Sequence, residues 1–91
     1  MGWTIELDQA AERDLDKINP QAARRILVFL RDRVAKRDNP RSVGTALQGS
    51  KAGGFWRYQV GDYRIIIVIE DDDQRILVLR VGHRREIYRR Y

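Results

Sequence analysis

Cysteine is absent from this chain of 91 residues, and histidine occurs once, at position 83. Without thiols there is no disulfide, no thiolate nucleophile and no cysteine zinc site, and a lone imidazole excludes a His-rich metal cluster. Any catalysis is therefore expected to run without a metal or other cofactor. No apolar run approaches the roughly 18 residues that span a bilayer, and no charged-then-apolar leader opens the sequence, so a cytoplasmic protein with no membrane partner is expected. Proline is scarce, with two residues. Both follow asparagine, in Asn19-Pro20 and Asn39-Pro40, where they punctuate helices.

Positive charge is plentiful. Eighteen Lys and Arg against thirteen Asp and Glu give a net charge of +5, and such a field favours polyanions through counterion release. Charge alone names no partner. The length fits one domain, residues 1–91, with a layer of helices on a sheet.

Residues 3–7 alternate as a half-buried strand does, with Trp3, Ile5 and Leu7 on one face. Asp8 can cap a helix carrying Ala11, Leu15 and Ile18, and Asn19-Pro20 ends it and starts a second. That second helix places Ala23, Ile26, Leu27, Leu30 and Val34 on its inner stripe. Its outer face carries Arg24, Arg25, Arg31, Arg33, Lys36 and Arg37, which reads equally as a solvated face or a polyanion-binding surface. Asn39-Pro40 is expected to end the helix, and the glycine-bearing stretch 41–54 reads as a loop without regular structure. Three strands follow: "FWRYQV", "YRIIIVIE" and "RILVLRV". The first turn, Gly61-Asp62, suits a two-residue hairpin; the second, around Asp71, Asp72 and Asp73, is expected to do little more than keep its tip soluble.

Register then predicts a constellation. A two-residue turn pairs Gln59 with Arg64 and Arg57 with Ile66, leaving Trp56, Tyr58, Val60, Tyr63, Ile65 and Ile67 to face the helices. An acidic turn of even length sets Glu70 opposite Arg75, Ile66 opposite Leu79 and Arg64 opposite Val81. His83 would then join Arg57, Gln59 and Arg64 on one face, and a slip of one residue would send it to the other. The same face carries an apolar strip, Ile66, Val68, Leu77 and Leu79, expected to be partly uncovered and open to a protein partner. Arginines gathered without acids repel one another, and a bound anion would relieve that repulsion. The ending "VGHRREIYRRY" adds four arginines and two tyrosines to the histidine.

Leu47-x-Gly49, Trp56-Arg57, Val60-Gly61-Asp62-Tyr63-Arg64 and Val81-Gly82-His83-Arg84-Arg85-Glu86-Ile87-Tyr88 resemble, in order and spacing, the toxins of the RelE/ParE superfamily of toxin–antitoxin modules. The RelE branch is the nearer likeness. The resemblance implies an α+β, RelE-like and microbial-ribonuclease-like fold: two N-terminal helices packed on a small antiparallel sheet, β-α-α-β-β-β, with a short C-terminal helix. It further implies a ribosome-dependent endoribonuclease that cuts mRNA in the ribosomal A site. Arg64 matches the arginine on the scissile phosphate, Arg84 the transition-state stabiliser or proton donor, and Tyr88 the general base, with Tyr91 as its alternative. Lys51 and Arg57 match message- or ribosome-holding positions, and Arg85 joins them; Gln59 departs from the family's usual basic residue. Implied partners are a cognate antitoxin, the ribosome with its mRNA, and operator DNA through the toxin–antitoxin complex.

In-line attack by a 2′-OH needs a base, cations on the phosphorane oxygens and an acid at the leaving 5′-oxygen. Tyrosine is a weak base at neutral pH, but adjacent arginines favour its phenolate. His83 is a second candidate base, since imidazole titrates in the neutral range unaided. Two other readings compete: a ParE-like gyrase inhibitor that acts by binding, and a basic nucleic-acid-binding domain without chemistry.

Overall fold

A computed structural model describes residues 2–36, 38–47 and 54–87. The capping chemistry read from the sequence operates in it. The Asp8 carboxylate accepts from the Ala10 N–H at the start of α1 (Gln9–Lys17), and the Asn19 side chain accepts from the Gln21 N–H at the start of α2 (Pro20–Phe29). α2 then loosens into a π-helical turn, Leu30–Val34, closed by a bond from the Ala35 N–H to the Leu30 carbonyl. The helix thus ends ahead of Asn39-Pro40, which instead opens a 3-10 turn, Pro40–Val43.

Strands β1 (Thr4–Leu7), β2 (Thr45–Ala46), β3 (Phe55–Val60), β4 (Tyr63–Glu70) and β5 (Arg75–His83) form one sheet in the order β1-β5-β4-β3-β2. One expectation is corrected here: part of the stretch read as an irregular loop is the 3-10 turn and β2. The α+β fold of two helices on an antiparallel sheet is as expected, with β1 added parallel to β5 at one edge. The helices cover one face, where Ala11, Leu15, Ile26, Leu30 and Val34 meet Tyr58, Ile65, Ile67, Val78 and Val81. Full burial of each Val, Leu or Ile contributes about 1.5–3 kcal/mol. Leu27, expected on the inner stripe of α2, is instead exposed together with Val28.

Tyr58 is fully buried on this face, donates its hydroxyl to the Pro40 carbonyl at 2.9 Å and meets Phe29 edge-on. Burial pushes its phenol from the ordinary 10.0 up to about 12, against a smaller opposing pull from the Arg41 charge. The unfolded chain therefore releases this proton first. Stability from Tyr58 is intact below pH 10 and lost as pH rises towards about 12. Alkaline titration of the unfolding free energy should show this fall, and Tyr58→Phe should flatten it.

The acidic tip does more than solubilise. Asp71 accepts two bonds from Arg41, at 2.9 and 2.7 Å, while that guanidinium lies over the Trp56 ring. The hydrogen bond from Arg41 holds the Asp71 carboxyl below the usual carboxylate range. Arg75 bonds Glu70 at 2.6 Å across the same hairpin.

Candidate functional site

The β3–β4 turn determines where Arg64 sits. Gly61 has φ of 58° while Asp62 keeps an ordinary negative φ, the pattern of a type II′ hairpin turn. An L side chain in that region costs about 1–2 kcal/mol, so Gly61→Ala should lower the urea midpoint by a corresponding amount. The two-residue turn fixes the pairing read from the sequence: Val60 with Tyr63, Gln59 with Arg64 and Arg57 with Ile66.

Arg64 is only 9% exposed. Its Nη1 donates to the Gly61 and Tyr63 carbonyls at 3.0 and 3.2 Å. No carboxylate partners it among the described residues, and none of these supplies an acceptor for its remaining donors. A guanidinium presents five N–H groups in a fork suited to phosphate or carboxylate, and a buried charge without a counter-ion is costly. On β5 the residue facing Arg64 is Gly82, so no side chain from that strand crowds it. Ile87 packs there instead, 3.1 Å from where a Cβ on Gly82 would lie.

The second half of the expected constellation is corrected. Glu70 does face Arg75, but β5 carries a bulge opposite Ile66 and Ile67: Val78 pairs with Ile67, Arg80 with Ile66, and Leu79 is the extra residue. Beyond it every facing shifts by one. Arg64 meets Gly82 where Val81 was expected, Val81 enters the core, and His83 pairs with Tyr63 on the helix-covered face. The His83 ring meets Tyr63 edge-on with centroids 5.9 Å apart, and its Nδ1 accepts the Arg85 N–H at 3.2 Å. It borders a cavity of about 370 Å³ with Lys17, Asn19 and Glu86. His83 is thereby separated from the face of Arg57, Gln59 and Arg64.

Arg84 returns to the hairpin end of the sheet. Its N–H donates to the Asp62 carbonyl at 2.8 Å, and its guanidinium lies 3.9 Å from the Asp62 carboxylate in an exposed pair. Arg57 is half-buried, and Gln59 and Arg85 are exposed. Lys51, Tyr88, Tyr91 and the expected C-terminal helix lie outside the described residues, which end in a turn at 84–87. The apolar strip is partly uncovered, as expected, at Val68, Leu77 and Leu79, which are half-buried, whereas Ile66 is fully buried. On the outer face of α2, Arg24 and Arg25 are exposed, whereas Arg31 and Lys36 share Asp32.

Sequence reading missed Asp14. This residue of α1 is buried and accepts the Arg80 Nε and Nη2 at 2.8 and 3.0 Å and the Val81 N–H at 2.9 Å. Its position was a signal: an acid three residues after Ala11 and four before Ile18 lies on the buried stripe.

Helices on one face of a mostly antiparallel sheet, with a buried arginine at the hairpin end that has no carboxylate partner among the described residues, define a small α+β protein. Residues 5–88 match the family described as "ParE toxin of type II toxin-antitoxin system, parDE". The chain is 33% identical over 90 residues to Toxin RelG of Mycobacterium tuberculosis, covering 99% of this chain and 100% of that one. Among solved structures, the toxin–antitoxin complex RelBE2 from Mycobacterium tuberculosis superposes with a TM-score of 0.81 at 26% identity, over 91% of this chain and 99% of that one. The archaeal RelE–RelB complex from Pyrococcus horikoshii gives 0.73 at 24% identity, over 94% and 99%. The chain belongs to the RelE/ParE superfamily and is a toxin of a type II toxin–antitoxin system.

Proposed function

We propose that this toxin is a ribosome-dependent endoribonuclease that cleaves mRNA in the ribosomal A site. The observation that carries this reading is Arg64, a buried guanidinium with donors turned to no carboxylate among the described residues, facing a glycine. In the proposed reaction the ribose 2′-OH attacks the adjacent phosphorus, Tyr88 takes its proton, and the bond to the 5′-oxygen breaks. Arg84 supplies charge or a proton to that leaving oxygen, and Arg64 stabilises the non-bridging oxygens. The products are a 2′,3′-cyclic phosphate and a 5′-hydroxyl. Lys51, Arg57 and Arg85 hold the message, while Gln59 contributes no charge. His83, with Nδ1 occupied by the Arg85 N–H, shapes the turn carrying Arg84. No cofactor enters these steps. Because the ribosome orients the message, a modest catalytic set suffices; positioning can supply several kcal/mol of the barrier.

RelBE2 from Mycobacterium tuberculosis is a toxin–antitoxin complex, and by analogy we assign this chain a cognate antitoxin, with operator DNA reached through their complex. The test is incubation of the antitoxin-free toxin with ribosomes programmed with a defined message, mapped by primer extension. Cleavage confined to the A site and absent on naked RNA is expected; no cleavage by folded protein would overturn the proposal. The match to the ParE family favours a second reading, gyrase inhibition by binding. A supercoiling assay on the same sample separates the two.

A further inference from the structure

The bulge in β5 decides what faces Arg64, and its geometry has a visible cause. Before the bulge, Ile76 and Val78 alternate into the core; after it, Val81 does. This switch of parity needs a strand that is held while carrying one residue too many. β1 pairs with β5 only as far as Val78, so the segment from Leu79 onward has no neighbouring strand on that side among the described residues. Asp14 takes the place of one. Its carboxylate receives the backbone N–H of Val81 at 2.9 Å, as a strand carbonyl would, and the same two oxygens receive the side chain of Arg80 at 2.8 and 3.0 Å. Both gripped residues directly follow the extra one. Bulges bend a strand, re-aim side chains and gather near active sites.

We propose that Asp14 is a positioning residue: by gripping Arg80 and Val81 it fixes the bulge, and the bulge sets Gly82 opposite Arg64 and brings Arg84 to the hairpin turn. The inference rests on the nuclease reading for its kinetic consequence, but not for its structural one. Without the grip, β5 relaxes to unbroken alternation. Val81 then faces Arg64 and sets a branched side chain where Ile87 now packs over Gly82, and His83 moves off the Tyr63 face. Asp14 touches neither message nor phosphate and acts only through the register.

Removing Asp14 alone would take the carboxylate from a half-buried arginine, and such a variant can fail to fold. The informative protein is the double variant Asp14→Leu with Arg80→Met, which removes both charges together and keeps the volume apolar. Two readouts are taken on the full-length toxin: single-turnover A-site cleavage at saturating and subsaturating ribosomes, and the nuclear Overhauser contact between the Tyr63 and His83 rings. The expected result is a folded protein that has lost the ring contact and whose cleavage rate falls about 100-fold, with ribosome affinity within about threefold of wild type. Asp14→Asn, whose side-chain oxygen can still accept the Val81 N–H, should restore the ring contact and most of the rate. A double variant that keeps the Tyr63–His83 contact, or loses it without loss of rate, overturns the proposal. If the wild-type toxin itself does not cleave, the nuclease reading fails, and the ring contact still decides whether Asp14 sets the register.

Discussion

Arg64→Ala is expected to lower the rate of A-site cleavage by about 100- to 1,000-fold, the usual cost of removing a preorganised donor from a developing negative charge. The size of the effect follows from burial. Arg64 as a whole residue is only 9% exposed, and its carbonyl bonds both come from Nη1, which leaves the rest of the fork for phosphate oxygens. Fold stability should fall modestly, because the Gly61 and Tyr63 carbonyls lose their Arg64 donor while no ion pair among the described residues is broken. Arg64→Lys keeps the charge and loses the fork, so it should recover only part of the rate. Single-turnover kinetics on programmed ribosomes, with thermal melts of each variant, check both statements. A rate within threefold of wild type for folded Arg64→Ala would remove this residue from the chemistry.

The largest effect on stability is expected at Asp14. Asp14→Ala strips a half-buried arginine of its carboxylate and the Val81 N–H of its acceptor, a loss of about 3–5 kcal/mol. In a domain of this size that lowers the melting temperature by well over about 10 °C. Asp62→Asn is the contrasting case. The pair it removes, Arg84 with Asp62, is 3.9 Å long and exposed on both sides, so the change should stay within about 0.5 kcal/mol. Differential scanning calorimetry distinguishes these outcomes. Equal melting temperatures for the two variants would show that Asp14 carries no more weight than a surface acid.

The fold was legible wherever local chemistry decides it. Asp8, Asn19 and Pro20 announce the two helices because their caps involve residues only two positions away. Gly61-Asp62 announces the first hairpin, and a two-residue turn permits one register, so the pairing of Arg64 with Gln59 could be derived without coordinates. The second hairpin was legible only up to Ile67 and Val78. Alternation carries no record of an inserted residue, and the group that stabilises the insertion lies 66 positions away from Arg80 in the chain. Hence His83 was expected on the Arg64 face and stands beside Tyr63. Leu27 misled for a different reason: its spacing fits the inner stripe, yet it lines an open pocket beside Ile5 and Leu7 of β1 and stays exposed. The roles expected of Lys51 and Tyr88 rest on family resemblance alone, since no pattern of spacing distinguishes a catalytic tyrosine from a stacked one, and both lie outside the described residues.

The most direct measurement of the proposed function uses two messages on identical ribosomes, one all-ribose and one carrying a single 2′-deoxy nucleotide at the A-site position whose hydroxyl would attack. Purified, antitoxin-free toxin is added and the products are mapped by primer extension. The expected result is cleavage of the ribose message, with a cyclic phosphate at its new end, and an intact deoxy message. Cleavage of both messages, or of neither, would contradict 2′-OH attack in the A site as the activity of this toxin.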